Sequence, residues 1–116
     1  MALNRALRLR KSGDFQRVRQ QRRSVMSRLL ILAWASNNGV GLRIGFVISK
    51  RISKHAVERN HLKRLLGEAI RSMLAELSGN WDIVITAREQ IIGADLPVLR
   101  QDLTTLLRRA KLLAPK

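Results

Sequence analysis

One amphipathic segment near the middle of the chain constrains the fold most strongly. From residue 60 to residue 77, apolar side chains recur at the three- and four-residue spacing of a single helix stripe. The stripe comprises Leu62, Leu65, Leu66, Ala69, Ile70, Met73, Leu74 and Leu77. The pattern predicts a long helix that ends at about Leu77, with Gly79 at the position where a glycine commonly terminates a helix. In a chain of 116 residues this helix must share one modest core with the other elements, so we expect a single domain over residues 1–116.

The opposite face of this helix is basic, and its positive charge is concentrated at the start. Lys63 and Arg64 lie in the first turns, and Lys50, Arg51 and Lys54 come just before them. Because the helix macrodipole favours acidic side chains at an N-terminus, cations at this end do not serve the stability of the helix itself. Their position indicates a surface that binds an anion from outside the chain.

The whole chain is strongly basic. It has 23 Lys and Arg residues against 8 Asp and Glu residues, a formal net charge of +15, and most of the bases are arginine. Guanidinium groups suit bidentate contacts with phosphate, and a polyanion would relieve the repulsion among so many cations. Nucleic acid is therefore the leading class of partner. Residues 1–28 hold nine bases and one acid, whereas residues 72–116 hold six and five, so we expect the last third to be mainly scaffold.

Several classes of protein are excluded by what the sequence lacks. There is no cysteine, which rules out a zinc finger, a disulfide framework and a cysteine nucleophile. The longest apolar run, residues 29–35, is too short to cross a bilayer or to form a good signal-peptide core. An arginine-rich transit peptide is disfavoured because the N-terminal segment runs directly into a capped helix. We therefore expect a cytoplasmic protein without membrane contact.

No group of side chains predicts catalysis by the chain alone. The carboxylates are scattered, and no two have the spacing of a two-metal site or of an acid–base pair. Glu58 and His61, one helical turn apart, could form an acid–base dyad, but a surface pair beside a nucleic acid is the favoured interpretation. We predict no catalytic residue and no metal site.

The remaining pattern predicts a mixed α+β fold. Residues 1–10 are expected to form an extended or mobile basic arm, followed by a short helix over residues 13–20 with Ser12 as its cap. A final helix begins after Asp95, a second cap residue, with Pro97 in its first turn.

Three strands are predicted between and around these helices. They cover residues 28–36, 42–49 and 81–87. The Asn37-Asn38-Gly39 turn between the first two strands is typical of a hairpin. Residues 21–27 are interpreted as a polar connection. Gly45 leaves one face of the second strand open, as expected for close approach of a ligand or for a bulge.

The basic stretch over residues 50–64 reads Lys-Arg-Ile-Ser-Lys-His-Ala-Val-Glu-Arg-Asn-His-Leu-Lys-Arg. It closely resembles the RNR signature of the protein component of bacterial ribonuclease P, which runs roughly Lys-Lys-Val-Gly-Lys-Ala-Val-x-Arg-Asn-Arg-x-Lys-Arg. Residues 8–15, 43–50 and 81–85 resemble further segments of the same family. The resemblance therefore covers nearly the whole chain in register.

This resemblance implies a fold and a function. The fold is a single-domain α-β sandwich of order αβββαβα, with a left-handed βαβ crossover through the long helix, against the general right-handed rule. Because the residues themselves indicate only two strands before that helix, the third is expected to come from splitting the first predicted strand. The implied function is to bind the catalytic RNA of ribonuclease P and the 5′ leader of precursor tRNA, and to assist endonucleolytic removal of the leader.

The resemblance also implies site residues. The surface facing the catalytic RNA would comprise Lys50, Arg51, Lys54, Arg59, Asn60, His61, Lys63 and Arg64. The cleft for the single-stranded leader would comprise Phe15, Arg19, Trp34 and Arg43. His61 departs from the family, which usually has arginine there, and Gly67 stands where a base is common. Arg19 and Ala33 stand where many members have aromatic residues, so Trp34 is the candidate to replace them.

The same resemblance implies that the protein binds no cofactor, because the RNA subunit holds Mg²⁺ and performs the chemistry. One protein would bind one RNA subunit, and the protein alone would be inactive. Two alternatives remain: a small basic ribosomal protein with a structural role, and a DNA-binding regulator that uses residues 59–71 as a recognition helix. The signature and the strand order favour the ribonuclease P interpretation.

Overall fold

The elements follow the order expected from the resemblance. The structure, a computed structural model, describes residues 7–9, 11–21, 23–77 and 79–113. Its helices and strands are α1 (Ser12–Gln20), β1 (Ser24–Met26), β2 (Leu30–Ser36), β3 (Arg43–Val47), α2 (Ala56–Arg71), β4 (Trp81–Ala87) and α3 (Leu96–Arg109). Short 3₁₀ turns cover Leu74–Glu76 and Glu89–Ile91. The α+β class, the order αβββαβα and the predicted strand over residues 81–87 are confirmed.

The four strands form one sheet in the order β1-β2-β4-β3. β2 pairs antiparallel with β4 along its whole length, from Leu30 opposite Ala87 to Ser36 opposite Trp81. β3 pairs in parallel with the other edge of β4. β3, α2 and β4 therefore form the parallel βαβ crossover that we expected, and its left-handed sense stays a prediction.

The predicted hairpin between β2 and β3 is wrong, because β4 lies between these two strands. The turn itself is present: Asn38 and Gly39 have positive φ angles of 58° and 89°. It carries the chain across the end of β4, where the backbone N–H of Asn37 donates to the carbonyl oxygen of Asn80 at 3.0 Å. A local turn signal cannot show that a strand distant in sequence will occupy the place between its two flanking strands.

The third strand before α2 also differs from our expectation. β1 lies within residues 21–27, interpreted above as a polar connection, and not within the first predicted strand. It pairs antiparallel with β2, and Ser27 closes the turn by accepting the backbone N–H groups of Leu29 and Leu30 on its Oγ at 3.1 and 3.0 Å. A strand of three residues has too short an alternation of apolar and polar side chains to be recognised in the sequence.

The two faces of the sheet are covered unequally. α2 and α3 pack on one face over the main core, to which β2 contributes Leu30 and Leu32 and β4 contributes Ile83 and Ile85. Because side chains alternate along a strand, the residues between them point to the other face. On that face α1 covers a smaller cluster, which comprises Leu9, Val18, Ala35 and Val84. The second face therefore remains partly open.

The chain is already packed against the sheet at residues 8 and 9. Arg8 forms a parallel bridge with Ile44, and the backbone N–H of buried Leu9 donates to the carbonyl oxygen of Ile44 at 2.9 Å. The predicted mobile arm therefore does not extend to these two residues. Residues 1–6 and Arg10, on which the rest of that prediction falls, lie outside the described residues.

α2 ends earlier than predicted. It stops at Arg71, and a 3₁₀ turn follows, so Gly79 is not its terminating glycine. The backbone N–H of Met73 donates to the carbonyl oxygen of Ile70, only three residues back, at 2.9 Å. These tighter turns still bury Met73 and Leu77, which is why the apolar stripe continues beyond the α-helix.

The two predicted helix caps have different outcomes. Ser12 is the first residue of α1, and Lys11, which precedes the helix, makes no side-chain cap hydrogen bond. Asp95 caps α3 as predicted: its Oδ1 accepts the backbone N–H of Val98 at 3.1 Å, and Pro97 lies in the first turn.

A buried ion cluster joins α1 to the sheet at Asp82, a fully buried residue of β4. Arg43 of β3 contacts both carboxylate oxygens, with Nε 2.9 Å from Oδ1 and Nη2 2.8 Å from Oδ2. Arg17 of α1 donates Nη2 to the same Oδ2 and Nη1 to the carbonyl oxygen of Ser36, the latter at 2.6 Å. Asn37 donates Nδ2 to Oδ1 at 2.9 Å. One carboxylate thus holds side chains from α1, from β3 and from the segment between β2 and β3.

The cluster shifts the pKa values of its members. Burial raises the pKa of Asp82, but the hydrogen bonds from Arg43 and Asn37 and the charges of Arg43 and Arg17 together outweigh it, so this pKa lies below its ordinary value. The hydrogen bond to Asp82 raises the pKa of Arg43 above its ordinary value, against a smaller opposing effect of burial. Both directions indicate that the folded protein favours the ionised pair.

Replacing Asp82 by asparagine should destabilise the fold, because Arg43 and Arg17 would lose a shared counterion in a buried site. We expect Asp82→Asn to lower the free energy of unfolding by about 3 kcal/mol near neutral pH, measured by urea denaturation. Asp95→Asn is the matched control, since asparagine caps a helix about as well as aspartate does. Equal stability of the two variants would show that the cluster contributes nothing.

The depressed pKa of Asp82 also predicts how this stabilisation depends on pH. It is fully present above the unfolded-state pKa, which is about 4. It is lost as the pH falls through the lower folded-state pKa, because the unfolded chain takes up the proton first. The difference in the free energy of unfolding between the parent and Asp82→Asn should therefore shrink below about pH 4. A difference that stays constant through this range would contradict the assignment.

Candidate nucleic-acid interface

The loop before α2 is held in a defined shape by Ser53 and Arg59. Ser53 is buried, and its carbonyl oxygen accepts a hydrogen bond from Nη1 of Arg59 at 2.8 Å. Its Oγ accepts the backbone N–H of His55 at 3.2 Å. The exposed basic side chains of this loop are Lys50, Arg51 and Lys54. Arg59, which is half-buried, therefore supports the loop that presents these bases.

The first turns of α2 continue this basic surface. Asn60, Lys63 and Arg64 are exposed, and their spacing of three and four residues places them along one flank of the helix. His61 lies on the flank that faces α3, where it lines a groove of about 370 Å³ that reaches Leu96. His61 also lines a pocket with Lys54 and His55 of the loop, and it precedes Arg64 by one helical turn. It therefore lies at the edge of the basic surface, between Arg64 and α3.

The exposed bases of this surface form no ion pair with a carboxylate among the described residues. In the described part of the chain, ion pairs with carboxylates are made by Arg17, Arg43 and Arg71. None of those pairs involves the exposed bases of the loop and of α2, namely Lys50, Arg51, Lys54, Lys63 and Arg64. Uncompensated cations fixed on one side of a molecule attract the phosphates of a nucleic acid.

The second candidate site is the face of the sheet that α1 leaves partly uncovered. The strand register places Val47, Thr86, Ile31 and Met26 in one row across β3, β4, β2 and β1, and we call these four residues the cleft row. The first three side chains are half-buried and Met26 is exposed. Phe15 of α1 packs on the same face. The cleft row therefore offers a largely apolar floor beside α1.

Phe15 reaches the sheet because β3 has a glycine beneath it. A Cβ atom at residue 45 would lie 2.5 Å from Cζ of Phe15, closer than real Cβ contacts. Gly45 is not a bulge, because it pairs in regular register with Val84 of β4. The open face predicted at Gly45 is thus occupied by a side chain of the protein itself.

The remaining basic residues predicted for the cleft have separate environments. Arg19 is exposed on α1. Arg43 lies on the cleft face, but its guanidinium is engaged by Asp82 and also lies 3.6 Å from the carboxylate of Asp14. Arg19 is therefore available to a ligand, whereas Arg43 has a structural partner.

Trp34 does not lie in the cleft. It is opposite Ile83 in the pairing of β2 with β4, and it packs against the main core under α2 and α3. Strand alternation places it on the same face as Leu30 and Leu32. The prediction that Trp34 replaces missing aromatic residues in the cleft is wrong.

The sequence analysis missed Arg88. Arg51 and Arg88 line a cavity of about 350 Å³ at the ends of β3 and β4, together with Ser49, Gln90 and the acidic residue Glu89. A single arginine just after a strand gives no signal in the sequence, and only the parallel pairing of β3 with β4 brings it near Arg51. This cavity adjoins the basic loop through Arg51 and Ile52.

Two further findings describe the chemistry of these surfaces. Over residues 7–113, leaving aside Arg10, Arg22 and Ser78, no three His, Asp or Glu side chains come close enough together to hold a metal ion. Over the same residues, no helix has both the length and the apolar character needed to cross a bilayer. The described side chains offer cationic and apolar contacts.

Comparison with known proteins identifies the family. The family model described as Ribonuclease P matches residues 3–111. The "Ribonuclease P protein component" of Chloroflexus aurantiacus is 43% identical over 112 residues, which cover 96% of this chain and 82% of that protein. The structure of Staphylococcus aureus RNase P protein superposes with a TM-score of 0.84 at 27% identity, covering 92% of this chain and 97% of that one. A structure described as a Staphylococcus aureus RNase P protein mutant with defective mRNA degradation activity has a TM-score of 0.83 at 27% identity, covering 93% and 91%. With a family match over nearly the whole chain and the same fold in these relatives, this chain belongs to the ribonuclease P protein family.

Proposed function

We propose that this protein is the protein subunit of ribonuclease P, which binds the catalytic RNA and the 5′ leader of precursor tRNA and assists removal of the leader. The observation that carries the proposal is the group of exposed bases at the start of α2, which form no ion pair within the described part of the chain, in a member of this family. Family membership favours this function over a structural ribosomal protein and over a DNA-binding regulator.

The catalytic RNA would bind to the loop before α2 and to the adjoining flank of the helix. The contacting residues would be Lys50, Arg51, Lys54, Asn60, Lys63 and Arg64. Arg59 would act by holding Ser53 and hence the loop. His61, one turn before Arg64, would contact the RNA at the edge of this surface.

The 5′ leader would bind in the cleft between α1 and the cleft row. A single strand exposes the flat faces of its bases, and such faces stack on aromatic and apolar side chains. Phe15 and the cleft row supply that contact, and Arg19 on α1 supplies a cation at the side.

The chemistry would lie in the RNA subunit, which would hold Mg²⁺. The protein would contribute by screening the repulsion between two polyanions and by holding the leader, and both effects strengthen substrate binding without a catalytic side chain. One protein would bind one RNA subunit in the cytoplasm.

The basic surface of α2 can be tested by removing one charge. Arg64→Ala should weaken binding to the catalytic RNA roughly tenfold at low salt, the size of one hydrogen bond to a charged group. The slope of log affinity against log salt should flatten by about one unit or less, because one phosphate contact is lost. Arg100→Ala, an equal loss of charge at an exposed site on α3, should change little. An equal loss of RNA affinity in the two variants would contradict the assignment of this surface to RNA binding.

The cleft can be tested through the glycine beneath Phe15. Gly45→Ala would displace the Phe15 ring and should weaken binding of leader-containing precursor tRNA severalfold, with little effect on mature tRNA or on binding of the catalytic RNA. Gly13→Ala is the matched control, because an added Cβ there meets nothing within 4 Å. Unchanged affinity for precursor tRNA in Gly45→Ala, with Phe15 shown to have moved, would remove the ring from the leader site.

The division of labour between protein and RNA is tested by a Mg²⁺ titration. The protein's enhancement of leader cleavage should be greatest at low Mg²⁺ and should shrink as Mg²⁺ itself screens the phosphates. The protein without RNA should not cleave precursor tRNA. Because one Staphylococcus aureus structure is described as an RNase P protein mutant with defective mRNA degradation activity, the protein-alone arm should also include an mRNA. Cleavage at a single site in precursor tRNA by protein alone, abolished by a point mutation, would overturn the proposal.

A further inference from the structure

Two arginines from distant parts of the chain converge on the turn between β1 and β2. Arg88, just after β4, donates Nη1 to the carbonyl oxygen of Ser27 at 2.7 Å. Arg109, in the last turn of α3, donates Nη1 to the carbonyl oxygen of Met26 at 3.1 Å. Each guanidinium has several N–H donors and uses one nitrogen in these contacts, so the others remain for a ligand. These bonds fix the position of both cations.

The turn carries a third cation and no matching ion pair. Arg28 is exposed in the turn itself. The carboxylate of Asp102 accepts a hydrogen bond from Oγ of Ser27 at 2.6 Å. Within the described ranges, the ion pairs of the protein include none of Arg28, Arg88 and Arg109. With three cations beside the one carboxylate of Asp102, this turn carries a net positive charge that attracts an anion.

This surface is continuous with the cleft row. Met26, the last residue of the row, is 53% exposed, and its Sδ lies 3.6 Å from Nη1 of Arg88. With neighbouring strands about 4.8 Å apart, the row runs roughly 14 Å from β3 to β1. At the β3 end the chain continues from Val47 into the basic loop, and the β1 end adjoins the turn that the guanidinium groups of Arg88 and Arg109 contact.

We propose that Arg28, Arg88 and Arg109 bind phosphates of the precursor tRNA leader where it leaves the cleft across β1. The inference rests on the proposed function and adds to it the route that the leader takes across the sheet. The β3 end of the row lies beside the surface proposed for the catalytic RNA, which would hold the cleavage site, so the leader would enter the cleft at this end. The turn at the opposite edge of the sheet therefore receives the leader nucleotides farther from that site.

The test uses the complex of protein and catalytic RNA with two precursor tRNAs that differ only in leader length. One leader is long enough to cross the sheet, and the other is cut back to the nucleotides beside the cleavage site. Arg109→Gln should weaken binding of the long-leader substrate roughly tenfold at low salt, and should leave the short-leader substrate and the catalytic RNA unaffected. The salt slope for the long leader should fall by about 0.7, the value for one phosphate contact of a single strand.

Two further variants separate charge from structure. Arg28→Gln removes a charge from the turn at a side chain that donates to no backbone carbonyl there in the described structure, so it should reproduce the effect without loosening the turn. Arg100→Gln removes the same charge from an exposed site of α3 and should be silent.

Three outcomes would overturn the inference. The first is an equal loss of affinity for the long-leader and short-leader substrates. The second is a loss of affinity for the catalytic RNA. The third is an unchanged affinity for the long-leader substrate in both Arg109→Gln and Arg28→Gln. Failure of the proposed function has a different signature, since the parent complex would then show no preference for the long-leader substrate over mature tRNA.

Discussion

The position of α1 depends on one buried carboxylate. α1 has nine residues, too few for a helix to be stable on its own, and it buries little apolar surface. Arg17 attaches it to Asp82, which Arg43 also binds from the neighbouring strand. Phe15 lies in the same helix, so its place over Gly45 follows from this attachment. A chain with a large excess of positive charge thus uses two arginines internally to build the wall of a cleft.

The elements that could be predicted are those whose signals are local. The residue pattern of β4 predicts both ends of the strand correctly, and α3 begins where Asp95 caps it. The place of β4 between β2 and β3 could not be found in this way, because it is decided by pairing between residues about forty positions apart. The contact of Arg43 with Asp82 depends on that pairing. The ion pair therefore could not be predicted from the sequence, although it contains both charged residues.

The roles of the site residues also depend on contacts that local sequence signals do not predict. Arg59 and Arg64 are the same residue type on the same helix, yet Arg59 is held by the carbonyl oxygen of Ser53 and Arg64 is exposed. The difference arises because the loop before α2 folds back over the helix start, which the signature does not reveal. The resemblance places Trp34 in the cleft as a substitute for the aromatic residues that many family members have in place of Arg19 and Ala33. Which face of a strand forms the cleft is known only once α1 has been placed.

The unequal covering of the sheet connects the fold to its proposed function. α2 and α3 cover the main core on one face, while α1, about 14 Å long at 1.5 Å per residue, covers only part of the other face. Covering the cleft row would bury more apolar surface, and each Å² is worth about 25 cal/mol of stability. The fold lacks this additional stability because Ile31, Val47 and Met26 stay at least partly exposed. An exposed apolar row bordered by arginines is a poor way to stabilise a small domain but a suitable one to bind a flexible polyanion with apolar bases, because both parts of that ligand find a partner.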